Sequence, residues 1–109
     1  MTRLWTSDGR PVATVRVADR FWPRLRGLML RRRVLREEGV LFPRCPSIHT
    51  IGMRTAIDLV FVVDGTVVKV VDQAPPNRVF RGPLGADALE LAPGRVREIG
   101  MQPGDRLVW

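Results

Sequence analysis

The segment from Ile57 to Val71 constrains the fold more than any other part of the chain. Ile57 to Val63 is almost wholly β-branched or aromatic, runs into the dipeptide Asp64-Gly65, and is followed by Thr66 to Val71 of the same character. Asp-Gly between two such runs favours a type I′ turn, whose twist matches that of the strands it joins. A two-residue loop then sets the register. Phe61 faces Val68 and Leu59 faces Val70 on one side, while Asp58, Val60, Val62, Val67, Lys69 and Val71 share the other. Both faces are largely apolar, which places this hairpin at the centre of a sheet covered on both sides.

The other periodic segments are short. Leu4 and Trp5, the turn-like Ser7-Asp8-Gly9-Arg10 and the alternating Pro11 to Ala18 read as an opening strand pair. Pro23 can occupy the first position of a helix, and Leu25, Leu28 and Met29 continue at helical spacing, so one short helix is expected from Pro23 to Met29. Val40 to Phe42 is a strand cut off by Pro43 and Pro46, which leaves Cys45 in a loop. Ile48 to Met53 reads as extended, with His49, Ile51 and Met53 on one side. Gln73 to Ala86, with its prolines and glycines, reads as a long loop. Ala88 to Leu91 is a strand, Pro93 starts a helical turn through Arg97 and Ile99, and Arg106 to Trp109 is a last strand. The expected fold is mainly β: a small β-sandwich or half-open barrel of antiparallel strands with one or two short helices, in a single domain spanning 1–109.

Composition bounds the function classes. No apolar run approaches the ~20 residues of a membrane helix, and MTRLWTSDGRPV has no continuous apolar h-region, so the expected setting is cytoplasmic and free of membrane. A single cysteine, Cys45, excludes an internal disulfide and a Cys-rich zinc site. The net charge is +7, and 17 of the 18 basic residues are Arg. Several lie between Arg16 and Arg36, a distribution that raises a nucleic-acid reading; no helix-turn-helix, zinc-finger or RNP-like pattern accompanies it.

The chemistry-bearing residues form incomplete sets. Cys45, His49 and Met53 offer soft metal ligands, but a blue-copper centre needs a second histidine, and His49 is the only one in the chain. No metal or cofactor is expected. Cys45 with His49 as nucleophile and base is opposed by the ~13 Å that four extended residues span. Asp58, inside IDLVFVV, must be held by a cation or by several donors if it is buried. The nearest candidates are Lys69, diagonally across the hairpin, or a site formed with His49 or Arg54. Arg54, Arg78 and Arg81 together suit an anion pocket.

LRGLMLRR, GVLFPRCPSIHTIGMRTAIDLVFVVDG and ALELAPGRVREIGMQPGDRL together resemble the prokaryotic family called domain of unknown function 192, over nearly the whole chain. The resemblance implies a compact β-rich domain with one short helix and no established activity. Positions matching its pattern, and so implied as a shared site, are His49, Thr50, Met53, Arg54, Asp58 and Glu90, with Cys45, Arg78 and Arg81 as weaker candidates. The leading expectation is a non-enzymatic binding or accessory module that takes a small polar or anionic ligand around His49, as a monomer or small homo-oligomer. The alternatives are an enzyme with His49 as general acid or base and Asp58 as its orienter, and nucleic-acid binding through residues 16–36.

Overall fold

The computed structural model describes residues 2–18 and 35–109. The helix expected from Pro23 to Met29, and most of the basic run between Arg16 and Arg36, lie outside them. The described chain forms β1 (Thr2–Thr6), β2 (Pro11–Val17), β3 (Glu38–Phe42), β4 (Ser47–His49), β5 (Ile57–Val63), β6 (Thr66–Ala74), β7 (Val79–Arg81), β8 (Asp87–Leu91), a helical turn α1 (Arg95–Ile99) and β9 (Leu107–Val108). Seven strands make one curled sheet in the order β6-β5-β8-β3-β2-β1-β9, and β4 pairs with β7 as a separate antiparallel ribbon. Among the described residues no helix is long and apolar enough to cross a membrane.

The half-open barrel, rather than the sandwich, is the form adopted. Its two edges approach each other where Thr66 bridges Arg106, the Leu107 N–H donates to the Gly65 carbonyl (2.8 Å) and the Val67 N–H donates to Asp105 (2.8 Å). Alternation along the strands then gives two apolar clusters. Leu4, Val15, Val60, Val62, Leu89 and Leu107 fill the inside of the curl. Val40, Phe42, Leu59, Phe61 and Ala88 point outward and are covered by the ribbon through Ile48 and Phe80. A strand with both faces covered has no polar side to offer, which is why IDLVFVV reads as a nearly continuous apolar run.

Asp64 and Gly65 both take positive φ, 49° and 78°, as a type I′ turn requires. The expected register holds for only two pairs beyond the turn. Val63 faces Thr66 and Val62 faces Val67, but Phe61 then faces Lys69, so Val68 is a bulge. A one-residue slip sends every later side chain of β6 to the opposite face. A second irregularity sets Asp72 and Gln73 against Asp58, with Gln73 at φ 52°.

Other expectations are corrected in the same way, by tertiary pairing. β2 and β3 are parallel, so the sheet is not wholly antiparallel. The hairpin is not at the centre of the sheet: β6 lies at its edge and β5 is the next strand in. The stretch from Gln73 to Ala86 is not a plain loop, because β6 runs on to Ala74 and β7 pairs with β4. Extended structure ends at His49, and the chain turns at Ile51-Gly52, so Ile51 is exposed while Met53 is buried.

Opposite ends of the curl are treated differently. α1 lies across the end where β5 and β2 begin and β8 finishes. Arg95, buried, donates from Nε to the Val12 carbonyl (3.0 Å) and from Nη2 to that of Pro11 (3.1 Å), which stitches α1 to β2. Arg10 donates to the carbonyls of Ile99 (2.8 Å) and Gly100 (3.0 Å), a cation at the helix's C-terminal end. Glu98 accepts from Arg95 and from Arg36 Nε (2.9 Å).

Two predictions follow from the packing and the charge network. At Gly82, just past β7, an added Cβ would lie 2.6 Å from two ring atoms of the fully buried Phe61. Gly82→Ala should therefore destabilise by about 1–3 kcal/mol in urea unfolding, and Phe61→Leu in the same chain should recover part of that loss. The Glu98 carboxyl is held below its ordinary range chiefly by hydrogen bonding from Arg36, which with Arg95 outweighs the opposing cost of desolvation. A carboxylate depressed on folding stabilises the fold above its unfolded pKa, and the contribution drains away as pH falls through the folded value. The stability gap between the parent and Glu98→Gln should be constant near neutrality and close in acid, measured by denaturant unfolding across pH.

Candidate functional site

Asp58 begins as an apparent anomaly, a fully buried carboxylate in the most apolar strand of the chain. Opposite Leu91 in the register, it shares the inner face with Val60 and Val62. There the second bulge of β6 and the start of α1 leave backbone N–H groups without ladder partners. Oδ1 accepts from the N–H of Gln73 (2.8 Å) and of Gly94 (3.1 Å), and Oδ2 accepts from Val96 (2.8 Å). Both oxygens are thus committed to backbone donors, the alternative to a counter-cation for a buried carboxylate.

The expected ion pair with Lys69 is not formed. The Val68 bulge moves Lys69 to the outer face, where its Nζ lies 5.9 Å from the Phe61 ring centroid and donates to the Arg81 carbonyl (2.7 Å). Nothing in the turn itself marks that bulge.

His49 lies elsewhere. Ile48 is the ribbon's buried contact with the sheet, so its neighbours Ser47 and His49 point away from it and are exposed. In the ribbon's register Ser47 faces Arg81 and His49 faces Val79. Thr50, fully buried, fastens the ribbon's end: its Oγ1 donates to the Pro75 carbonyl (2.7 Å) and accepts from the Arg78 N–H (3.0 Å), while its N–H donates to the Arg78 carbonyl (2.9 Å). Met53 fills the outer cluster beneath, and Arg54 follows it, exposed. Cys45 is half-buried, with Sγ donating to the Ser47 carbonyl (3.3 Å).

Glu90 is buried on β8 between Leu59 and Val40, both of the outer cluster. Asp58 and Glu90 therefore leave opposite faces of one sheet and do not line a common pocket. Nor does Asp58 orient His49, which stands on the far side of the ribbon that covers the outer face. Of the expected site residues, His49 and Arg81 share the ribbon's outward face, Thr50 and Arg78 meet at its end, and Arg54 is exposed just after Met53. Among the described residues no carboxylate pairs with Arg54, Arg78, Arg81 or Lys69. Also among them, no three side chains of His, Cys, Asp or Glu come close enough to hold a metal ion. The structural roles of Arg95 and Arg10 carried no sequence signal, since one more Arg beside a short helix is unremarkable in a chain with so many.

Asp58→Asn keeps the shape but turns one acceptor into an N–H2 group facing an N–H donor, with a loss of about 1–3 kcal/mol expected. Because Asp58 and Lys69 make no contact, Asp58→Asn and Lys69→Met should be additive within a few tenths of a kcal/mol in urea unfolding. A larger coupling would contradict the assignment of Asp58 to the backbone donors.

No curated protein matches this chain. Among solved structures, a protein from Sinorhizobium meliloti 1021, described as a candidate transcription regulator, is 32% identical with a TM-score of 0.79, covering 97% of this chain and 89% of its own. A protein of unknown function from Novosphingobium aromaticivorans DSM 12444 is 24% identical with a TM-score of 0.82, covering 99% and 84%, a likeness that speaks to fold alone. The sequence pattern described as Uncharacterized ACR, domain of unknown function 192, matches residues 3–109, and the chain belongs to that family.

Proposed function

We propose that this protein is a non-enzymatic binding module that takes a small polyvalent anion on the exposed side of the β4–β7 ribbon. The observation that carries the reading is the charge pattern there. Arg81 and His49 occupy outward positions two residues apart across the register, Arg78 is exposed at the ribbon's end, Arg54 is exposed on the connection that follows β4, and no described carboxylate pairs with the three arginines. Guanidinium groups free of protein carboxylates suit phosphate-like or carboxylate ligands. Binding is favoured over acid–base catalysis because Asp58, the expected orienter of His49, has both oxygens engaged on the other side of the sheet.

Titration with pyrophosphate, followed by amide chemical shifts, tests the reading. Saturable shifts should concentrate on Ser47, His49, Val79 and Arg81. Arg78→Gln and Arg81→Gln should each weaken binding roughly twofold to fivefold, the scale of an exposed charge pair. Both the imidazole and pyrophosphate take up protons as pH falls, so the His49 contribution is the difference in affinity between the parent and His49→Gln across pH, and it should grow as pH falls. Shifts that do not saturate, or that survive Arg78→Gln/Arg81→Gln unchanged, would count against the site.

A second reading, nucleic-acid binding, draws support from the net charge of +7 and from the description of the Sinorhizobium meliloti structure as a candidate transcription regulator. It predicts affinity for duplex DNA that falls steeply with salt. Equal indifference to DNA at low and high salt would remove it.

A further inference from the structure

Among the described residues, nothing covers the end of the barrel opposite α1. A cavity of about 120 Å³ lies there, walled by Leu4, Val15, Val17, Leu41, Val62 and Trp109. Thr2 pairs with Val15, Val17 with Leu41, and Val62 with Asp87, so these residues form the uppermost inward-facing layer of the strands. Inward register in a small barrel ordinarily means burial, because side chains fill the interior. Here Val17 stays 57% exposed and Trp109 73% exposed. The lower layers are packed by Val60, Leu89 and Leu91, all fully buried, and in the layer above them Val15 and Val62 are buried while Val17 is left exposed.

We infer that this mouth is a binding site for a small apolar ligand carrying an ammonium group. The walls supply the apolar part of the recognition, as in barrel mouths generally. The space is close to that of cavities that accept a single benzene ring. The charge comes from Asp87, which lines the same cavity at its half-buried rim. Its Oδ1 accepts the Arg44 N–H (2.8 Å), a bond that fixes the carboxylate's orientation, and an ammonium at the rim would meet a placed acceptor. The site is separate from the ribbon surface. It is also of opposite charge preference, so the two can fail independently.

Benzylamine and its neutral counterpart benzyl alcohol are suitable probes, read by chemical shifts of the Trp109 indole N–H and the methyl groups of Val15, Leu41 and Val62. Benzylamine should give saturable shifts confined to these groups. Asp87→Asn retains an oxygen for the Arg44 N–H and should weaken benzylamine about tenfold while leaving benzyl alcohol unchanged. Val17→Phe, at an exposed position that does not disturb the packed layers, should block both. Absence of saturable shifts, or shifts spread over the surface, overturns the site. Equal affinity for amine and alcohol in the parent protein overturns the ligand class.

Discussion

The Asp58 carboxylate is the interaction on which the arrangement of the C-terminal third depends. A charge in a fully apolar strand is costly unless its oxygens are saturated, and here three backbone N–H groups from two segments converge on it. Those N–H groups would be orphans otherwise: one belongs to the bulged Gln73, the others to the first residues of a helix too short to satisfy them internally. Each side supplies what the other lacks. With α1 fixed at the bottom of the curl, the chain is led past Met101 and Gly104 to the edge of β6, and β9 reaches β1. Closure of the barrel and anchoring of α1 are therefore linked through one side chain.

The two ends of α1 are held by complementary charge. Asp58 sits by its N-terminal N–H groups and Arg10 by its last carbonyls, in the sense that the helix dipole favours. Arg95 adds a lateral tie to β2. A single turn of helix has almost no stability of its own, so these contacts and the burial of Val96, rather than helix propensity, account for its presence. At the opposite end, among the described residues, Val17 and Trp109 remain exposed.

The placement of polar groups also separates structural from available chemistry. Asp58 and Thr50, which look functional by residue type, are consumed by backbone partners. The arginines of the ribbon, ordinary in a chain so rich in Arg, are some of the cations left without carboxylates among the described residues. The family pattern groups Arg54 with Asp58 and Thr50 and leaves Arg78 and Arg81 weaker. Burial and hydrogen-bond partners set Asp58 and Thr50 apart from the arginines, because a polar group already saturated by the protein has little left for a ligand.

The amino-acid sequence by itself determined the hairpin and its turn, the β class, the opening strand pair, the helical turn after Pro93 and the need for Asp58 to be satisfied. Each rests on local chemistry: positive φ at Asp64-Gly65, β-branched alternation, the cost of a buried charge. Only the tertiary structure decided who satisfies Asp58. That choice turned on the bulge at Val68, which no local signal marks and which carries Lys69 to the other face. The same holds for β7, whose three residues become a strand only because β4 offers an edge, and for Glu90, whose face follows from Val40 and Leu59, both far from it in sequence. Period-two patterns fix sides only while the register is unbroken, and a register is a property of two strands together.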